Sequence, residues 1–127
     1  MDTPGINHII LTVTDVKRAR AFYGGVLGFD VQGDEADANY FFFSVGGVSI
    51  WVISHENTPG DDRFSEFRVG LDHLSFTAPS EEALNALAEK LKAAGVNTKG
   101  VEVFAPSGNK YIAFRDPDNI QLEYWLN

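Results

Sequence analysis

The chain has 127 residues, 44% of them hydrophobic and 22% charged, with 18 acidic against 10 basic side chains and a net charge of −8. This is enough for one domain-sized core and excludes a disordered or coiled-coil chain; the scattered basic residues, densest at Lys17, Arg18 and Arg20, speak against nucleic acid or an anionic membrane as a partner. The lack of cysteine excludes disulfides, thiolate metal sites and thiol nucleophiles, and no apolar run approaches the ~18 residues of a membrane helix, so a cytoplasmic protein is expected.

Residues 6–13 read as a strand in which Ile9, Leu11 and Val13 alternate with His8, Ile10 and Thr12. Thr14 or Asp15 offers an N-cap oxygen for a helix over 16–27, in which Val16, Ala19, Tyr23, Val26 and Leu27 recur at helical spacing. Gly24 and Gly25 weaken that helix and Gly28 stops it. A short strand over 29–32 and an acidic loop over 34–37 lead to an aromatic strand over 40–45, a Gly46-Gly47 hairpin turn and a strand over 48–54. Residues 55–70 are polar and aperiodic, the pattern of a lid, a binding loop or a linker.

The pattern then restarts. A strand over 71–77 precedes a helix capped by Ser80, with Glu81 and Glu82 in its first turn, Leu84, Leu87 and Leu91 on one face and Gly95 at its end. Strands over 101–104, 110–114 and 120–126 follow, the last two joined by the turn Asp116-Pro117-Asp118-Asn119. The order is βαβββ, loop, βαβββ, an internal repeat. Ile6-Asn7-His8-Ile9 matches Leu71-Asp72-His73-Leu74, and Val48-Ser49-Ile50-Trp51 matches Ile120-Gln121-Leu122-Glu123 once the longer second turn is allowed a one-residue gap.

Two of the three histidines, His8 and His73, hold equivalent positions in the repeats, and equivalent positions in paired modules are candidates for one shared site. Glu123 lies among large apolar residues, on a strand face with Gln121 and Trp125. If it points inward, it requires a cation or strong donors. Two imidazoles and one carboxylate make the ligand set of a facial metal triad with open positions. A solvated glutamate and two ordinary strand histidines are the plainer alternative.

With Asn7-His8, Phe22-Tyr23, Leu27-Gly28-Phe29, Gly70-Leu71-Asp72-His73-Leu74-Ser75-Phe76 and, above all, Phe114-Arg115-Asp116-Pro117-Asp118-Asn119-Ile120-Gln121-Leu122-Glu123, nearly the whole chain resembles the vicinal oxygen chelate superfamily. That superfamily includes glyoxalase I, extradiol dioxygenases, fosfomycin-resistance transferases and bleomycin-resistance binding proteins. The resemblance implies an α+β fold of two βαβββ modules forming an incomplete barrel around one divalent metal (Fe, Mn, Zn or Ni). It implies a single domain, with modules over about 5–55 and 71–127, and it makes His8, His73 and Glu123 the metal ligands. Trp51 stands where glyoxalase-like members carry a fourth ligand, which argues against a standard glyoxalase I. Ala113 stands where extradiol enzymes place a tyrosine, with Tyr111 two residues earlier on the same face. The potassium-binding loop of the fosfomycin enzymes is missing, whereas bleomycin-binding members usually lack the metal ligands present here.

The expected function is metal-dependent chemistry on a small oxygen-bearing substrate, of dioxygenase, lyase or isomerase, or transferase type. The alternative is a non-catalytic binding protein for a drug or metabolite. His55, two strand periods after Trp51, is the candidate acid or base if that strand persists. Trp51, Phe43, Tyr111 and Trp125 are candidate aromatic lining, and Arg68 and Arg115 are candidate anion binders, with plain core and surface salt bridges the ordinary alternatives. The resemblance also implies a homodimer.

Overall fold

A computed structural model describes residues 1–33, 35 and 37–127; of the acidic loop expected over 34–37, Asp34 and Ala36 lie outside the described residues. The backbone falls into two units, Met1–Asp62 and Arg63–Asn127, which divide inside the long polar segment. The fold is α+β, as expected, and the described strands form one three-stranded and one four-stranded sheet.

In the first unit, β1 (His8–Thr12) lies parallel to β3 (Val48–Ile53), which runs antiparallel to β2 (Tyr40–Val45). Alternation gives each strand two faces. Leu11, Phe41, Phe43, Ile50 and Val52 are buried with Val16 and Ala19 of α1 (Val16–Arg20), whose N-terminus is capped by Asp15 accepting from Arg18 N–H at 3.1 Å. The helix expected over 16–27 changes pitch: Ala21–Val26 is a π-helix, and Leu27 N–H bonds Phe22 C=O at 2.9 Å. The glycine pair ends α-helical winding here, and a Cβ on Gly24 would meet Val31 Cγ2 at 3.1 Å. The strand expected over 29–32 reduces to one bridge, Gln32 to Phe42.

In the second unit the order is β4 (Leu74–Thr77), β7 (Gln121–Leu126), β6 (Asn109–Arg115), β5 (Thr98–Phe104). Here β4 is again parallel to the unit's last strand. β4 begins three residues later than expected, after Gly70, whose φ of 139° only glycine holds readily. α2 (Glu81–Ala93) starts where Ser80 Oγ accepts from Ala83 N–H at 3.1 Å and ends in a Schellman turn, with Val96 N–H on Leu91 C=O at 2.9 Å and Gly95 at φ 69°. Leu84 and Leu91 pack with Phe76, Ile112, Phe114 and Leu122 in the core of this unit.

The β6–β7 turn is built on a buried carboxylate. Asp116 Oδ1 accepts from the N–H groups of Asp118 and Ile120, both at 2.8 Å, while Asn119 sits at φ 72°. The turn also fastens the segment before it: Phe64 N–H bonds Asp118 C=O at 2.9 Å, and Asn119 Nδ2–H bonds Phe64 C=O at 3.0 Å. Arg115 grips Glu66 through two bonds of 2.9 and 3.0 Å. The second half of the polar stretch is therefore strapped to its own unit, although Phe67 and Val69 project into solvent.

Two outcomes are expected. Asp116→Ala leaves two buried N–H groups without their acceptor and should lower the unfolding free energy by about 1–3 kcal/mol in urea titrations; a midpoint matching wild type would overturn the turn's role. The hydrogen bonds from Arg115 hold the Glu66 carboxyl down at about 2, from an ordinary 4.5. Ionised Glu66 therefore favours the folded state above about pH 4.5, and that gain fades as pH falls toward 2. Wild type and Glu66→Gln should converge in stability over that window, and parallel curves would refute the linkage.

Candidate metal centre

Strand alternation on β7 buries Leu122 under α2 and turns Gln121, Glu123 and Trp125 to the other face. Glu123 is nevertheless only 8% exposed, and its carboxylate is held on both oxygens. Trp125 Nε1–H donates to Oε2 at 2.6 Å and Gln121 Nε2–H to Oε1 at 3.2 Å. Parallel pairing of Leu74 with Leu122 and Ser75 with Glu123 brings the residue before β4, His73, to the same place. His73 Nε2 lies 3.5 Å from Glu123 Oε2, and its Nδ1 lies 2.6 Å from Asp72 Oδ1. A carboxylate only accepts, so Nδ1 carries the hydrogen and Nε2 is the ring atom that faces Glu123.

The first unit repeats this register. His8 pairs with Ser49 and Ile10 with Trp51, so Trp51 holds the place that Glu123 holds in β7. His8 Nδ1 lies 2.7 Å from Asn7 Oδ1. Asn7, His8, Ile10, Ser49 and Trp51 line a hollow of about 510 Å³, and Trp51 stacks on Phe42 at 4.5 Å with Tyr40 at 5.4 Å.

The other sequence candidates part company. Tyr111 shares the Glu123 face: it pairs with Trp125 across β6 and β7 and stacks on its indole at 4.8 Å. Burial, the charges of Glu102 and Glu123 and a hydrogen bond to Glu102 raise its phenol above the ordinary value. Phe43 does not line the Trp51 face. Its neighbour Phe42 pairs with Trp51, so Phe43 points to the opposite face, where it is 1% exposed and stacked on Phe29 at 4.2 Å. His55 is not a strand residue either. β3 ends at Ile53, and exposed His55 opens a turn in which its N–H bonds Thr58 Oγ1 at 3.1 Å, so the expected extension of the Trp51 face to His55 does not occur. Arg68 Nη1–H bonds Arg63 C=O at 3.2 Å, and Arg115 is engaged by Glu66. Asn7, Asp72 and Gln121 were readable only as repeat markers or strand neighbours; the signal for them was an Asx residue before each equivalent histidine.

The donor chemistry of the second unit fits a divalent ion. When Nε2 carries no hydrogen, it and the carboxylate oppose lone pairs, and a cation between them relieves the repulsion. Two donors with ~2.1 Å bonds to one ion stand roughly 3–3.5 Å apart, comparable to the His73–Glu123 separation of 3.5 Å. Among the described residues, no group of three His, Asp or Glu side chains is gathered around such a position.

Known proteins share this arrangement of elements. A glyoxylase/bleomycin resistance protein/dioxygenase domain from Frankia sp. EAN1pec superposes with a TM-score of 0.84 at 33% identity, over 99% of each chain. The catechol-2,3-dioxygenase of Bacillus subtilis is 35% identical over 117 residues, which are 86% of this chain and 40% of that one. The metallothiol transferase FosB of Staphylococcus haemolyticus is 30% identical over 73 residues, 58% of this chain and 48% of that one. The chain thus spans less than half the length of either of these two enzymes. The sequence model of the Glyoxalase/Bleomycin resistance protein/Dioxygenase superfamily matches residues 5–124, and the chain belongs to that superfamily.

Proposed function

We propose that the protein is a divalent-metal-dependent enzyme acting on a small substrate that chelates the metal through neighbouring oxygens, with His8, His73 and Glu123 as the protein ligands. The observation that carries this reading is the pair His73 Nε2 and Glu123 Oε2, face to face at 3.5 Å, with the carboxylate buried and its other contacts supplied by donors. The equivalence of His8 with His73 in the two registers supports the third ligand. A bound divalent ion supplies Lewis acidity toward substrate oxygens, or with Fe or Mn a place for dioxygen. The chain's own residues do the rest. Trp51 and Ile10 offer apolar surface beside His8, and Trp125 and Gln121 hold the Glu123 carboxylate in one orientation. Tyr111, on the Glu123 face, stacks on Trp125 and adds aromatic surface beside the carboxylate.

The second reading is a binding protein without turnover. It is favoured by the aromatic hollow at His8, in which Trp51 is backed by Phe42 and Tyr40. Metal content after purification without chelators separates the two: Fe or Mn points to redox chemistry, Zn or Ni to Lewis-acid chemistry, and a metal-free protein that binds aromatic ligands to the second reading.

Glu123→Gln keeps the shape but replaces the carboxylate with a much poorer ligand. It should lose the ion on elemental analysis of folded protein, as should His8→Ala and His73→Ala, whereas Trp51→Phe should retain it. One tight ion per chain in Glu123→Gln would defeat the assignment. We also propose a homodimer in solution, cytoplasmic in location. Light scattering at micromolar concentration tests the assembly, and a metal-retaining monomer would count against any site shared between copies.

A further inference from the structure

The sequence motif before each histidine does more than mark the repeat. Gly5-Ile6-Asn7-His8 and Gly70-Leu71-Asp72-His73 share a glycine at φ 157° and 139° respectively, and at neither does a Cβ meet any atom within 4 Å. The glycines are there for the backbone turn rather than for space. Three residues on, both histidines engage the side-chain oxygen of the preceding Asx through Nδ1, at 2.7 and 2.6 Å. Consecutive side chains in a regular strand point to opposite faces and could not meet in this way. The contact exists because each pair sits at or just before the strand start, after the glycine turn. Both Asx residues are exposed, so neither is needed to fill a core.

We propose that Asn7 and Asp72 are positioning residues, each fixing, within its own unit, the tautomer and ring orientation that present Nε2 of its histidine as a ligand atom. This rests on the ligand assignment proposed above. The two are not equivalent. An amide oxygen only orients His8, whereas the Asp72 carboxylate also draws charge along the ring and makes His73 the stronger donor, a recognised effect of partners that buttress metal-bound imidazoles. The two units thus carry one repeated device, charged in the second unit and neutral in the first.

The test uses Co²⁺ as the probe, read by calorimetry and by its visible absorption bands in the full-length protein. Asp72→Ala should weaken Co²⁺ binding about 10-fold, at the low end of outer-partner effects because the carboxylate is solvent-facing. Asp72→Asn keeps the acceptor and should recover part of that loss with shifted bands. Asn7→Asp should tighten binding, a gain that no general loosening of the fold would produce. Asp61→Asn, which removes the same charge from the exposed polar segment, should leave affinity and bands unchanged. Thermal melts of all variants should match wild type. Wild-type affinity and spectra in Asp72→Ala and Asn7→Ala would overturn the proposal while Glu123→Gln still lost the ion. Retention of the ion by Glu123→Gln would instead remove the ligand assignment beneath it.

Discussion

The parallel pairing of the first and last strand of each unit is the constraint from which the rest follows. A parallel pair needs a crossover, and here each crossover carries a helix that covers one face of its sheet. The opposite face is left to polar and aromatic groups. The register of that pairing, Ile9 with Ile50 and Leu74 with Leu122, sets the histidine just before Ile9 and just before Leu74 against the last strand of its unit. In the second unit this brings an imidazole to a carboxylate. Neither helix touches that chemistry, yet both decide on which face it lies.

Glu123 shows what such placement demands. A carboxylate in a strand of large apolar residues is costly to desolvate, and its position is tenable because an indole and an amide two residues to either side donate to it. Both donors come from the same strand face, so period-two alternation alone brings the three together. Gln121, Glu123 and Trp125 could therefore be grouped from the sequence. That the grouping is inward and bonded follows only from Leu122 going under α2.

Much of the fold was legible because its signals are local. The Tyr40–Val45 strand, the Gly46-Gly47 turn and the Ser80 cap are written in neighbouring residues, and each lies where it was expected. The failures arose where local signals are silent or compete. Phe41-Phe42-Phe43 carries no polar residue to mark its outer face, so Phe43 was placed with Trp51, and only pairing of Phe42 with Trp51 decides otherwise. Val16–Leu27 has helical periodicity, but periodicity does not distinguish an α-helix from one that widens at a glycine pair. The strand leading to His55 stops at Ile53, because the chain turns back on Thr58. The repeat made Trp51 and Glu123 equivalent in the sequence, and the strand registers agree.

That equivalence explains why the two open faces differ. Beside Trp51 on the neighbouring strand stands Phe42, and beside Glu123 stands Ala113. A six-membered ring fills the space next to the indole in one unit, and in the other a methyl group leaves room next to the carboxylate. Two strand positions away the pattern is shared, with Tyr40 tilted against Trp51 in the first unit and Tyr111 stacked on Trp125 in the second. The repeat has thus kept its backbone register and its flanking tyrosine. It has changed the central pair together, from large and aromatic to charged and small. A carboxylate opposite a phenylalanine would have lacked open space beside it, and a tryptophan opposite an alanine would have lacked its stacking partner. Each central residue makes physical sense only with the cross-strand neighbour it has, and that coupling lets one module present an aromatic surface while its copy presents a carboxylate.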